Sequence, residues 1–343
     1  MSQIDIKSFV LAQNIDNYKL KFCPFPMRVY YTQSLGKKKL IWKKSDPRYG
    51  LVDQLQLPCS KCLFCQKKYS SQWAVRCVLE STHYKNNCFI TLTYNNESID
   101  KQESLVKRDY QLFIKRLRKY LDQYDIKIKY FIAGEYGDVS GRPHYHLLVF
   151  GWKPHDMKFK AKSVKGSILY YSNFVQEMWG KGFVDIGDDL DVNTVRYVCK
   201  YMQKLKKLKP NCIPSFVAMS KGIAKRDFKL EIYDNNGIYL NGVKYSVPRY
   251  FDKLAEKNGI DLTLIKQRRI ERMQKEDLSE SDYILEQYKY YKYCIKQNIS
   301  VNHIGFLLKY KLDDFKKGGL FSLIDEIGKR QLTLAEHGII IKK

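Results

Sequence analysis

The stretch that most constrains this chain runs from Arg142 to Phe150, Arg-Pro-His-Tyr-His-Leu-Leu-Val-Phe, an apolar run headed by histidines at i and i+2. Alternate side chains of a strand share a face, so His144 and His146 point one way and Tyr145 the other. The preceding Lys129 to Tyr136, Lys-Tyr-Phe-Ile-Ala-Gly-Glu-Tyr, reads as a second strand, and Gly137 to Gly141 supplies the turn residues of a hairpin. Such a hairpin brings Glu135 beside the histidines and makes Glu135, His144 and His146 a candidate metal-ligand set. Glu135 could instead pair with Arg142.

Two other segments extend this set toward chemistry. Asn193 to Lys204, Asn-Thr-Val-Arg-Tyr-Val-Cys-Lys-Tyr-Met-Gln-Lys, places Tyr197 and Tyr201 on one helical face, with Lys200 and Lys204 a turn from each. Packing alone also produces that spacing. Cys88 to Tyr94 is a β-rich run that contains Thr91 and Thr93, residues most simply read as strand formers.

The order of these parts resembles the HUH nucleases that start rolling-circle replication: an apolar-Thr-Leu-Thr strand, then Glu and His-x-His on a hairpin, then a doubled Tyr-x-x-Lys helix. The paired tyrosines resemble the initiators of small icosahedral single-stranded DNA phages. Pro58-Cys59-Ser60-Lys61-Cys62, Gly134 to Gly137, Gly141 to His146, Met219 to Ile223 and Pro248-Arg249-Tyr250 look like the gokushovirus branch of the Microviridae. The resemblance implies a site-specific, metal-dependent single-strand endonuclease and ligase that nicks the phage origin on the replicative form through a 5′-phosphotyrosine. It assigns Tyr197, Tyr201, Lys200 and Lys204 to catalysis and Glu135, His144 and His146 to magnesium or manganese. Thr91, Thr93, Arg142, Lys206 and Lys207 become candidate DNA contacts, and host helicase and DNA polymerase become expected partners. A relaxase or transposase of the same class is the enzymatic rival, although relaxases usually place the tyrosine before the histidines. A basic zinc-binding nucleic-acid module without catalysis is the rival from another class.

Charge supports a nucleic-acid partner. Lys and Arg number 61 against 36 Asp and Glu, a formal net charge of +25, alongside 27 tyrosines and 17 phenylalanines. Cations neutralise phosphates and aromatic rings stack on unpaired bases, so the combination favours single-stranded DNA. No segment approaches the ~18–20 apolar residues of a membrane span, and Met1 to Lys7 has no signal-peptide core, so the host cytoplasm is the expected location. No Gly-x-x-x-x-Gly-Lys-[Ser/Thr] loop is present, which argues against an ATPase or helicase within the sequence.

Cys59, Cys62 and Cys65 form C-x-x-C-x-x-C among nine cysteines. A ferredoxin-type run would need another cysteine at position 69, which is tyrosine. Cys23 or Cys77 could complete a four-thiolate zinc site, with His83 a poorer candidate, or the three thiols stay reduced in a linker.

The expected fold is α+β, an antiparallel sheet flanked by helices in the HUH manner. An irregular N-terminal segment with the cysteine cluster covers 1–66, the endonuclease domain 67–210, and a C-terminal extension 211–343 that binds DNA or a partner. Within it, helices are expected at 70–84, 107–124, 173–179 and 193–204, strands at 88–94 and 182–186, a β-meander at 228–247 and helix from about 262. Oligomeric state is not readable from the sequence.

Overall fold

The computed structural model describes residues 22–34, 37–41, 53–60, 62–99, 103–137, 140–163, 166–188, 190, 192–200, 211–234, 237–275 and 290. The chain divides into two compact units, residues 1–66 with 205–207 and 274–343, and residues 67–204 with 208–273.

In the first unit, β1 (Met27–Ser34) pairs antiparallel with β2 (Lys37–Ile41) on one side and β3 (Asp53–Leu57) on the other. The two β-like runs of the N-terminal segment are therefore ladder partners, and a third strand joins them just before the cysteine cluster. Helix α1 (Leu63–Ser81) begins directly after Cys62, seven residues earlier than apolar spacing alone suggests. Polar residues at 66–68 hide this start from a periodicity count.

The second unit is built on a seven-stranded antiparallel sheet. Its strands in chain order are β4 (Asn87–Tyr94), β5 (Lys129–Tyr136), β6 (Pro143–Phe150), β7 (Lys158–Lys162), β8 (Ile168–Tyr171), β9 (Gly182–Gly187) and β10 (Phe216–Met219). In space they run β10-β5-β6-β4-β9-β8-β7. The expected hairpin is β5 and β6, and the Lys-rich stretch after it folds as the β7–β8 hairpin.

Side-chain alternation divides the buried residues of this sheet into two layers. Cys88, Ile90, Leu92, Tyr145, Leu147, Val149 and Ile186 face α2 (Lys107–Asp122) and α3 (Asn173–Trp179). Helix α2 buries Tyr110, Phe113, Ile114, Leu117 and Leu121, the stripe its i, i+3, i+4 spacing predicts. Each such side chain contributes roughly 1.5–3 kcal/mol by leaving water. Its other face exposes Lys107, Arg108, Lys115, Arg118 and Lys119. Tyr145 joins this layer to the strand: its hydroxyl accepts from the Val106 N–H at 2.9 Å and donates to the Val106 carbonyl at 2.8 Å, at the start of α2.

On the opposite side of the sheet, Phe131, Ala133, Leu148 and Phe150 pack against Trp73, Val75 and Val78 of α1 and Val195 and Val198 of α4 (Val192–Lys200). Residues beyond 210 return to the same sheet. Strand β10 pairs with β5, and the loop after it receives Arg76, whose Nη2 donates to the Ile223 carbonyl at 3.0 Å. The Arg76 guanidinium lies 4.0 Å from the Trp73 ring centroid and 3.7 Å from that of Tyr250, at the head of α6 (Arg249–Lys257).

In place of the expected meander, a one-turn helix α5 (Glu231–Asp234) precedes a two-stranded hairpin, β11 (Ile238–Leu240) and β12 (Val243–Tyr245). Helix α7 (Thr263–Lys275) matches the helical reading from about 262. No helix among the described residues is long and apolar enough to cross a membrane.

Candidate metal and nucleophile site

Strand register places the site. Opposite Glu135 on β5 lies His144 on β6, opposite His144 lies Thr93 on β4, and opposite Thr93 lies Phe183 on β9. Directly paired residues of an antiparallel sheet project to the same side, so these four form one row. The next row holds Ala133, His146, Thr91 and Asp185. Both rows lie on the side of the sheet that carries α4.

Within the rows, Glu135, His144 and His146 converge. Both imidazole Nε2 atoms approach one carboxylate oxygen, Glu135 Oε1, at 2.8 Å from His144 and 3.1 Å from His146. The other ring nitrogens are held from behind: His144 Nδ1 donates to the Arg142 carbonyl at 3.0 Å, and His146 Nδ1 meets Thr91 Oγ1 at 3.0 Å. A carbonyl only accepts, so Nδ1 of His144 carries a proton and a neutral ring has its lone pair on Nε2. That lone pair faces a carboxylate oxygen, which requires a proton or a cation between them. One ligand atom from each of the three residues lies within 4.8 Å of the others, and the group could hold a metal ion. Orientation of a ligating imidazole by a contact to its second nitrogen is the usual arrangement around a metal. Glu135 is 2% exposed and His146 5%, while the Phe89 ring stacks on that of His146 at 5.6 Å.

Helix α4 brings Tyr197 to this point. Val195, Val198 and Cys199 are buried against the sheet, which turns Tyr197 outward at 42% exposure. Its ring centroid lies 6.0 Å from that of His146, edge to face. Tyr145, the tyrosine between the histidines, lies on the far side of the sheet, and burial pushes its phenol up to about 12. Of these two, Tyr197 has both the access and the face.

The other candidate residues are placed as follows. Tyr201, Lys204, Lys206 and Lys207 lie outside the described residues, and of Lys200 only the backbone, as the last residue of α4, is described. Thr91 holds His146. Arg142 turns away from Glu135, its Nη1 donating to the Tyr94 carbonyl at 2.8 Å, and with Thr93, Asn95, Asn96 and Phe183 it lines a cleft of about 580 Å³. Phe183 is 57% exposed and escapes a reading of the sequence, since a lone aromatic in a strand looks like core. Its placement depends on Gly182, where a Cβ would lie 2.4 Å from the Asn95 nitrogen and the Thr93 carbonyl oxygen.

The cysteines form a second group. Cys23, Cys59, Cys62 and Cys65 are all buried, and their sulphurs lie within 4.8 Å of one another. The fourth member is Cys23. Cys77 sits in the core against Cys199, and His83 is engaged by Asp227 at 2.9 Å.

The model of the replication-associated protein ORF2 family matches residues 87–206, from β4 through the tyrosine helix. The replication-associated protein ORF2 of Spiroplasma virus 4 is 34% identical over 233 residues, 62% of this chain and 72% of that protein. The chain belongs to the phage replication-associated protein family. Other members are the ORF4 protein of Chlamydia phage 1, 33% identical over 222 residues, and the VP4 protein of Bdellovibrio phage phiMH2K, 35% identical over 152. Those alignments cover 59% and 43% of this chain and span about half of each relative, 54% and 48%. No solved structure matches the chain. The family match begins with the strand that holds His146 through Thr91 and ends beyond the helix that carries Tyr197.

Proposed function

We propose that this protein is a rolling-circle replication initiator that nicks and rejoins one strand of a phage replicative-form origin, with Tyr197 as nucleophile. The observation that carries the reading is the convergence of Glu135, His144 and His146 on one point, with the accessible Tyr197 ring against His146. Magnesium or manganese held by these three residues would supply Lewis acidity to the scissile phosphate.

In the proposed step the Tyr197 oxygen attacks phosphorus. The tyrosine O–P bond forms as the P–O3′ bond breaks, the phenolic proton is lost to solvent and the 3′-oxygen takes one up. One phosphodiester replaces another, so the attached 5′-end remains competent for resealing. Lys200, three residues on, is assigned to favour the phenolate. Tyr201 and Lys204 form the second pair, which lets a displaced unit-length strand be cut while the first end is still attached.

Phe183 deepens the site. An exposed ring on the ligand row, two strands from His144, offers an unpaired base a stacking face beside the phosphate. The basic composition supports the same partner. The chemistry is assigned to residues 67–210, with DNA or partner binding by the extension 211–343, and host helicase and polymerase acting with it in the bacterial cytoplasm.

The test is a gel of the full chain with a labelled single-stranded origin oligonucleotide and manganese. A covalent adduct in the wild type that disappears in EDTA and in a Tyr197→Phe, Tyr201→Phe double variant is the expected result. Nicking at full rate in EDTA, or an adduct that survives in the double variant, overturns the reading.

A further inference from the structure

We infer that Cys23, Cys59, Cys62 and Cys65 form a closed tetrathiolate zinc site that staples residue 23 to the turn at 59–62 and the first turn of α1. The inference is independent of the nicking reading and concerns a different set of residues.

The geometry of the sulphurs carries it. Cys59 Sγ and Cys65 Sγ are 3.9 Å apart, and Cys62 Sγ and Cys23 Sγ are 3.8 Å apart. Tetrahedral zinc with Zn–S bonds of ~2.3 Å requires neighbouring sulphurs about 3.8 Å from each other. A disulfide would bring a pair to ~2.05 Å, and all four cysteines are free thiols. An iron–sulfur cluster, having its own volume, would hold the sulphurs well apart.

The backbone is arranged for the same purpose. The Cys59 N–H donates to Cys23 Sγ at 3.3 Å and the Cys62 N–H to Cys59 Sγ at 3.2 Å. Donors directed at sulphur stabilise a thiolate more than a thiol. The turn that aims the second donor runs through Ser60 at φ 62°, a left-handed conformation that a serine adopts only where its surroundings hold it.

The packing around the sulphurs needs a staple. The buried cluster here consists of the four cysteines with Phe25, Leu63 and Tyr290, so cysteines make up most of it. Phe25 and Tyr290 meet edge to face at 5.7 Å and cover the sulphurs. Few large apolar side chains take part among the described residues, and small cores of this kind are commonly completed by a metal. With four sulphur ligands and no open position, the ion has a structural role.

Elemental analysis of the purified full chain tests the proposal. About one zinc per chain is expected, retained in His144→Ala and Cys77→Ala and lost in Cys62→Ser and Cys23→Ser. Because a cysteine variant can fail to fold, X-ray absorption at the zinc edge of the wild type is the second measurement, with a first shell of four sulphurs expected. A metal-free wild type whose melting temperature is unmoved by chelators overturns the site. So does zinc bound through nitrogen or oxygen. An iron equivalent in place of zinc overturns the choice of metal.

Discussion

Four thiols and a carboxylate with two imidazoles make the two ligand clusters of this chain, and they differ most in what stands beside the ligands. Around the cysteines every neighbour is apolar or another sulphur, and the donor count is complete. Around Glu135, His144 and His146 the donor count is three, and an exposed tyrosine lies against one of the rings. A closed soft-ligand set fixes a fold, whereas an open set of nitrogen and oxygen donors leaves positions for a substrate. Tightness of packing alone would not separate them, since Glu135 is as buried as the sulphurs.

The sharpest way to break this comparison is to exchange the consequences of the two sites. His144→Ala or His146→Ala is expected to lower nicking by at least ~10³-fold while single-strand binding stays within a few fold of wild type, because phosphate contacts supply most of the affinity. Cys62→Ser is expected to do the reverse, lowering the melting temperature by roughly 10 °C and leaving the cleavage position unchanged. Nicking rates and thermal melts on the same preparations check both. A histidine variant that melts far lower but nicks normally, or a cysteine variant with intact stability and no chemistry, would reverse the assignment of roles.

The legible part of the site was the part governed by period two. Alternation in β6 and the turn residues after β5 are enough to put Glu135 beside the histidines and to send Tyr145 to the other side. The fourth cysteine was not legible, because Cys23 reaches Cys59 across 36 residues and no local period encodes that closure. Thr91 and Phe183 were hidden for a different reason. A threonine that steadies an imidazole and a phenylalanine left exposed by its register look like ordinary strand formers until the strand order is known. The strings around Met219 and Pro248 proved to be framework: Ile223 receives Arg76, and Tyr250 lies under it. Helix α1 began early because its first turn belongs to the cysteine cluster and not to an apolar stripe.

Phe183 tests how far the open site extends. Phe183→Ala is expected to weaken binding of single-stranded origin DNA by roughly 5- to 100-fold, the range for losing one stacked base. Metal affinity, read by manganese titration, should stay unchanged. Fluorescence anisotropy at several salt concentrations separates stacking from charge, since the logarithmic salt slope should survive this substitution and flatten for Lys206→Ala with Lys207→Ala. A normal affinity in Phe183→Ala would confine the site to the ligands and the tyrosine.

The smallest expected effect sharpens the comparison from outside both clusters. Glu80 on α1 is another buried carboxylate, but its cation is built in: Lys129 Nζ lies 2.8 Å from Oε1, while the Ala224 N–H donates to Oε2 and the Tyr84 hydroxyl donates to Oε1. Burial pushes the Glu80 carboxyl up, yet Lys129, the Ala224 N–H and Tyr84 together outweigh it and hold the group below the usual carboxylate range. A depressed folded value means the stabilisation is complete above the unfolded carboxylate value of ~4.3 and is lost as pH falls through the folded one. Glu80→Gln is therefore expected to cost about 1–3 kcal/mol at pH 7, the penalty for a partly unmatched buried group. The gap between variant and wild type should close as pH drops below about 4, and urea unfolding across that range measures it. A gap that stays constant into acid would mean that the glutamate contributes by shape and not by charge. Nicking should be unaffected at pH 7, since this carboxylate contacts no residue of the Glu135, His144 and His146 group. If activity fell with stability intact, the boundary between framework and site would have to be redrawn to include α1.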